Sequence, residues 1–102
     1  MTTDAGVVRL CCLLWARPGR ADALHAYEDR VLPWIAEHGG EVVHRALADD
    51  ADGADGHPDE VQLFRFPDRA ALDAYLRDPR RAALTGERDA AIARTDLFPV
   101  RF

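Results

Sequence analysis

An arginine stands where an apolar residue is expected in the second half of the chain. In the last predicted helix, Leu84, Arg88 and Ile92 stack at four-residue spacing, so a guanidinium interrupts the apolar stripe. Because an unpaired buried guanidinium costs several kcal/mol, Arg88 must have a partner. A structural strut would pair it with Asp73 or Glu28. The alternative is that Arg88 binds an anionic or enolate-like oxygen of a ligand.

His44 is the second residue whose type suits chemistry, since a neutral imidazole can accept and donate a proton near pH 7. Its strand parity is that of the apolar face. If the strands that carry them pair as a hairpin, His44 lies beside Gln62. The alternative is a core histidine bonded to a backbone group. We take His44 as the candidate proton-transfer group and Gln62 as a candidate ligand contact.

Missing residue types exclude several mechanisms. The chain has no lysine, serine or asparagine, which rules out Schiff-base lysines and serine-nucleophile triads. Adjacent Cys11 and Cys12 point to opposite faces of a strand, so reduced, buried thiols are expected. The acidic loop over 48–60 fails the register of an EF-hand calcium loop. No metal is expected, since metal-binding spacing is also lacking among His25, His38, His44 and His57.

Charge and hydropathy limit the partners. The formal net charge is -5, and all 13 basic residues are arginine. This acidic balance argues against nucleic acid as a partner. No apolar run approaches the ~20 residues of a membrane span. The N-terminal "MTTDAG" lacks the basic region of a secretory signal, so a cytoplasmic protein without a membrane partner is expected.

The 102 residues are expected to form one domain over 1–102, with alternating strand and helix patterns. Pro33 should break the first helix, and Gly39-Gly40 should end it. Asp78-Pro79 is typical of an N-cap followed by proline in the first turn. The predicted strands cover residues 7–15, 41–47, 61–66 and 96–102, and the predicted helices cover 20–38, 68–77 and 79–94.

The order β-α-β-β-α-β predicts a ferredoxin-like α+β fold, a four-stranded antiparallel sheet with helices on one face. Both parities of the first strand are apolar, although water should lie on one side of such a sheet. A monomer would therefore expose a large apolar patch, and we expect a homodimer through the sheet faces. Four arginines share one parity and either ring the barrel interior or lie at strand ends: Arg9, Arg45, Arg65 and Arg101.

The chain resembles the dimeric α+β barrel superfamily, and within it the group called domain of unknown function 1330, with antibiotic-biosynthesis monooxygenases as wider relatives. The similarity rests on the order of Tyr27, Pro33, Gly39-Gly40, Phe66-Pro67, Asp78-Pro79 and Arg88. The chain departs from the group at Asp78, where a small serine is usual. It also lacks the group's tyrosine in "RRAAL", so no role tied to that tyrosine is carried over to this chain.

The resemblance implies a barrel made from two sheets, with a pocket in each subunit between the helices and the sheet. Four aromatic residues would line the helical sides of that pocket, although such a stripe is more often core: Tyr27, Trp34, His38 and Tyr75.

The similar families include cofactor-free oxygenases of aromatic polyketides, polyketide cyclases, lactone isomerases and heme-degrading enzymes. Several heme-degrading relatives use an asparagine, which this chain lacks. The resemblance therefore implies a cofactor-independent enzyme of secondary metabolism, a monooxygenase or a cyclase/isomerase, acting on a planar oxygenated, polyketide-like molecule. His44 would move the proton and Arg88 would stabilise negative charge on oxygen. The alternative is a non-catalytic ligand-binding or structural homodimer.

Overall fold

The computed structural model describes residues 6–49 and 56–102. The N-terminal "MTTDA" and residues 50–55 of the acidic loop lie outside the described residues. In chain order the elements are β1 (Val8–Ala16), α1 (Ala21–Val31), α2 (Trp34–Glu37), β2 (Glu41–Leu47), β3 (Glu60–Phe66), α3 (Arg69–Leu76), α4 (Pro79–Ala83), α5 (Thr85–Ala91) and β4 (Ile92–Pro99).

The four strands form one antiparallel sheet in the order β2-β3-β1-β4. β1 pairs with β3, where Leu10 lies opposite Phe64, and with β4, where Cys12 lies opposite Leu97. Non-consecutive strands at the centre and helices in the crossovers are the features of the ferredoxin-like fold. The predicted fold class is confirmed.

The first helix breaks where the sequence predicts it. α1 ends at Val31, and α2 begins directly after Pro33, which lacks the N–H that a continuous helix requires. Gly39 then adopts a φ of 81°, the left-handed conformation that glycine tolerates at a helix end. Gly40 has another reason to be glycine. A Cβ there would lie 2.8 Å from the backbone oxygen of Arg65.

The core lies between the helices and the face of the sheet that they cover. Alternate residues of β1 and β3 supply the sheet side of this core, and α1, α2 and α3 supply the helical side. Its apolar members include buried Leu10, Leu14, Leu24, Tyr27, Val31, Leu32, Ile35, Phe64, Phe66, Leu72, Tyr75 and Ile92. The longest helix, α1, has 11 residues, and none in the described chain could cross a membrane.

The other face of the sheet carries no helix and has a group of apolar residues, although Arg9 opposite Arg65 and Asp96 opposite Leu13 lie on the same face. Cys11 pairs with Leu63 on one side and Phe98 on the other, and Leu13 pairs with Val61. Phe98 on this face is 39% exposed. We call this surface, defined by Cys11, Leu13, Val61, Leu63 and Phe98, the open face.

A bulge in β2 overturns the predicted neighbour of His44. The pairing with β3 shifts between Val42 and His44, so His44 lies opposite Leu63 on the open face. Arg45, rather than His44, lies opposite Gln62 on the helix-covered face. One extra residue in a strand moves every later side chain to the other face. The prediction that Arg45 shares a face with Arg9 is therefore wrong, as is the placement of His44 beside Gln62.

The predicted last helix is also corrected. It divides into α4 and α5 at Leu84, and α5 ends at Ala91 rather than near 94. Ile92 is the first residue of β4, so it does not continue the helical stripe of Leu84 and Arg88. The start is as predicted, since the carboxylate of Asp78 accepts a hydrogen bond from the backbone N–H of Arg80 and Pro79 follows it.

Candidate functional site

A cavity of about 220 Å³ lies between the helices and the covered face of the sheet. Side chains of α1, α3, α4 and α5 close it from above, and β1, β3 and β4 form its floor. Its lining is Cys12, Leu14, Glu28, Gln62, Phe64, Tyr75, Leu76, Arg81, Arg88, Thr95 and Leu97. We call it the helix–sheet cavity. Its walls are mostly apolar, and its charged groups are one carboxyl and two guanidiniums.

Arg81 enters this cavity from α4. Its Nη1 donates to the phenol oxygen of Tyr75 at 3.0 Å, and its guanidinium carbon lies 4.6 Å from the centre of the Tyr75 ring. Its Nε is buried and has no hydrogen-bond partner among the described residues. Burial raises the pKa of Tyr75 above its usual value, so the phenol stays neutral near pH 7. Arg81 thus holds one N–H donor unused.

Arg88 enters from α5 and has one neutral partner and one more distant carboxylate. Its Nη2 donates to Thr95 Oγ1 at 2.8 Å, and its Nη1 lies 3.8 Å from the exposed carboxylate of Asp89. Among residues 6–49 and 56–102, neither Asp73 nor Glu28 forms a hydrogen bond or an ion pair with Arg88. Asp73 lies 3.6 Å from Arg69 instead. The partners predicted for a structural strut are therefore absent from the described interactions of Arg88.

Glu28 brings a carboxyl into the same cavity from α1. Only 6% of the residue is exposed, and its Oε1 accepts a hydrogen bond of 2.8 Å from Gln62 Nε2. Burial raises the pKa of Glu28 above its ordinary value, against the opposing effects of the Gln62 hydrogen bond and the Arg81 charge. The carboxyl is thus a stronger base than an exposed glutamate.

Glu60 lies two residues before Gln62 in β3 and is 0% exposed. Its carboxylate accepts a hydrogen bond from Arg45 Nε at 2.8 Å and contacts His25 Nδ1 at 2.7 Å. Arg45 also reaches Asp29 at 2.6 Å. We call Glu60, Arg45, His25 and Asp29 the Glu60 cluster. Gln62 joins it to the cavity, because the same amide nitrogen also donates to Glu60.

The structure brings three of the predicted site residues into the cavity: Gln62, Tyr75 and Arg88. Tyr27 is buried in the core, and its hydroxyl has no hydrogen-bond partner among the described residues. His44 lies on the open face, so it does not share a site with Arg88 within one chain. The roles predicted for these residues stay predictions.

Trp34 and His38 form a cluster of their own outside the cavity lining. The guanidinium of Arg80 lies 4.4 Å from the Trp34 ring centre and bonds Asp78 at 2.8 Å. His38 Nε2 contacts the same carboxylate at 2.9 Å. This arrangement joins α2 to the start of α4, and Arg80 adds an ion pair with Glu37 at 3.2 Å.

Sequence reasoning missed Glu28, Arg81 and Thr95 as cavity residues. Glu28 did carry a signal, since it follows Leu24 by four residues on the buried side of α1, just as Arg88 follows Leu84. Arg81 carried none, because "RR" at 80–81 does not reveal which arginine points inward. No cluster of three or more potential metal ligands occurs in the described part of the chain.

Solved structures with the same fold come from several bacteria. The RPA0582 protein of unknown function from Rhodopseudomonas palustris is 26% identical, with a TM-score of 0.74 over 95% of this chain and 82% of that one. SnoaB, a cofactor-independent oxygenase from Streptomyces nogalater, is 17% identical, with a TM-score of 0.67 over 95% of each chain.

A third similar structure is a dimeric protein of unknown function and ferredoxin-like fold from Bacteroides fragilis. It is 11% identical, with a TM-score of 0.70 over 95% of this chain and 97% of that one. A comparison with curated proteins finds no match. The profile of one family, Domain of unknown function (DUF1330), matches residues 17–101, which is most of the chain. The chain therefore belongs to the DUF1330 family.

Proposed function

We propose that this protein is a cofactor-independent enzyme that binds an oxygenated small molecule in the helix–sheet cavity and stabilises negative charge on one of its oxygens. One observation carries the proposal. Arg81 and Arg88 enter a largely apolar cavity and are held mainly by the neutral oxygens of Tyr75 and Thr95. Guanidiniums without a close carboxylate partner inside such a cavity suit an anionic or enolate oxygen.

The cavity also limits the size of the ligand. Its volume of about 220 Å³ is smaller than the ~300–1,000 Å³ of typical small-molecule sites. A single planar ring with its oxygen substituents therefore fits better than an entire polycyclic molecule. A polyketide-like substrate would place one oxygenated ring in the cavity and leave the remainder outside. The walls formed by Phe64, Leu14 and Leu97 supply apolar contact for that ring.

The reaction class we propose is monooxygenation or cyclisation/isomerisation, as part of secondary metabolism. The similar fold of SnoaB, described as a cofactor-independent oxygenase, supports this choice of class. All of these reactions pass through charge on a substrate oxygen, which is where the two guanidiniums would act. The alternative is a protein of the same fold that binds a ligand without transforming it, or a purely structural homodimer.

The proposal includes a homodimer through the open face. Cys11, Leu13, Leu63 and Phe98 form an apolar surface there, which a second copy would cover. A protein of similar fold from Bacteroides fragilis is described as dimeric. The cavity lies on the other face of the sheet, so each protomer would keep its own site. His44 would lie at this interface. A catalytic role for His44 would therefore require a separate site between the two protomers.

Ligand binding tests the function directly. Salicylate, resorcinol and anthrone serve as probes in chemical-shift titrations, with oxygen uptake measured for anthrone. Arg81→Met and Arg88→Met should each weaken binding at least tenfold, because each removes a charged donor from the cavity. Arg77→Met is the matched control, since Arg77 is an exposed arginine outside the lining. Equal binding by wild type and both cavity variants would contradict the proposal.

A further inference from the structure

We infer that Glu28 is the base of the helix–sheet cavity, and that the substrate is a carbon acid whose C–H lies next to a carbonyl. The inference rests on the proposed function, because it needs the same cavity and the same arginines. It rests on three features of the described chain: a buried carboxyl, a guanidinium donor without a partner, and a neighbouring carboxylate whose charge is already paired.

The first feature is the free oxygen of Glu28. Gln62 occupies Oε1, and no described residue hydrogen-bonds Oε2, while the carboxyl belongs to the cavity lining. When one carboxylate oxygen accepts a hydrogen bond and the other does not, the first fixes the orientation of the group and the second can accept a proton. Position comes from α1 on one side and from the β3 amide on the other, both of them regular elements of the fold.

The second feature is the donor that faces the same space. Arg81 lines the cavity and donates through Nη1 to Tyr75, while its Nη2 has no hydrogen-bond partner among the described residues and its unpaired Nε is too buried for a ligand to reach. Its charge acts on Glu28 without an ion pair between the two. A substrate carbonyl can therefore accept a hydrogen bond from Arg81 while its adjacent C–H faces Glu28. That arrangement would place the base at the C–H and the hydrogen-bond donor at the carbonyl of one enolising unit.

The third feature is Glu60, which shows what a fully paired acid looks like in this fold. Arg45 and His25 contact its carboxylate directly, whereas the one side-chain donor to the Glu28 carboxyl in the described part of the chain is the amide of Gln62. Glu28 thus keeps its basicity for a ligand. The charged and titratable groups that face Glu28 from its own helix and the neighbouring elements are Cys12, Tyr27, Arg45, Glu60, Tyr75, Arg81 and Arg88.

The step balances within the site. Glu28 carboxylate takes the proton from the substrate carbon, the C–H electron pair becomes the C=C bond of an enolate, and the carbonyl π pair moves to oxygen. Arg81 and Arg88 hold that oxygen. In an isomerisation or cyclisation, protonated Glu28 returns the proton to another substrate atom, so no oxidant or reductant is needed.

Deuterium exchange isolates this step from any later chemistry. 2-Indanone, whose acidic C–H bonds lie next to its carbonyl, is incubated in deuterated buffer without dioxygen, and loss of those carbon-bound protons is followed by NMR. Wild type should accelerate the exchange, and the acceleration should rise with pH as Glu28 ionises. Glu28→Gln should reduce it by roughly 100-fold or more, the usual contribution of a positioned base. Glu28→Asp should retain part of it, and Asp22→Asn, on the exposed side of the same helix, should change nothing.

Binding separates the two possible failures. Glu28→Gln should bind the probe resorcinol within a few-fold of wild type, since the arginines remain. Wild-type exchange in a Glu28→Gln variant that still binds would overturn the role of Glu28 and leave the cavity proposal standing. Absence of both binding and exchange in wild type would overturn both.

A measurement on wild type covers the case in which Glu28→Gln does not fold. The carboxyl carbon of Glu28 is titrated by NMR with and without resorcinol. Its pKa should lie above the ordinary 4.5 and move when the ligand binds. A titration at the ordinary value that the ligand does not change would contradict the inference.

Discussion

Two groups of charged side chains share the covered face of the sheet, and they are built differently. In the Glu60 cluster, a carboxylate with no exposed surface is contacted by Arg45 and His25. In the helix–sheet cavity, Glu28 is held by an amide, and Arg81 retains an unused N–H. Gln62 bonds to both carboxylates, so the two groups are adjacent. They differ in saturation, by which we mean whether the charged groups have all of their hydrogen-bond partners.

Saturation has a clear physical meaning at these two places. A buried charged group whose hydrogen bonds are all made gains nothing from a ligand. Removing one of its partners lowers the free energy of unfolding by several kcal/mol. A charged group whose hydrogen-bond partners are neutral can still gain a favourable interaction with a ligand of opposite charge. We therefore interpret the Glu60 cluster as a structural joint between α1, β2 and β3. The cavity is the part of the same face that can respond to a bound molecule.

Removing one arginine from each group should break this comparison most strongly. Arg45→Met leaves the fully buried Glu60 carboxylate without its guanidinium and should lower the free energy of unfolding by about 3 kcal/mol. Arg81→Met should change it by less than about 1 kcal/mol, because the side-chain hydrogen bond of Arg81 to the described residues goes to a neutral phenol. Urea denaturation measures both, with the exposed Arg30→Met as control. Equal losses for Arg45→Met and Arg81→Met would remove the distinction between the two groups.

The protonation state of Glu28 should affect how the free energy of unfolding depends on pH. Burial raises the pKa of Glu28, so between 4.5 and that higher value the folded chain keeps a proton that the unfolded chain has lost. The free energy of unfolding therefore falls as pH rises through this window, by about 1.4 kcal/mol per unit of difference.

Glu28→Gln removes this dependence. Relative to wild type, the variant should gain stability as pH rises through the window and hold the gain at higher pH. Chemical denaturation at a series of pH values measures the difference, with Asp22→Asn as the control. A constant difference between Glu28→Gln and wild type at all pH values would show that Glu28 titrates normally.

The fold could be predicted because its signals are local and repeated. Apolar residues at helical or strand spacing gave the element order, and Pro33 and Gly39 marked the ends of helices through backbone chemistry. The end of α5 could not be found in this way. The alanine-rich stretch at 90–93 favours a helix, yet Ile92 pairs with Ala16 in the sheet. Tertiary pairing there overrides local propensity.

The site was less accessible to prediction than the fold. A single bulge after Val42 exchanged the faces of His44 and Arg45, and nothing in "EVVHRAL" announces it. Arg88 was found because a charge on an apolar stripe is conspicuous. Glu28 offered the same signal but was considered only as a partner for Arg88. The structure shows that the two line one cavity without bonding each other.

The smallest effect we expect concerns the neutral group that holds Arg88. Thr95→Val keeps the shape of the side chain but removes the oxygen that accepts the 2.8 Å bond from Arg88 Nη2. Stability should fall by only about 1 kcal/mol, because the Arg88 side chain is 34% exposed and its guanidinium can bond water. With its donor released, Arg88 should bind salicylate as tightly as wild type or a few-fold more tightly. A loss of binding as large as that of Arg88→Met would instead make Thr95 part of the binding surface, and Arg88 would then act in the cavity only when the hydroxyl fixes its position.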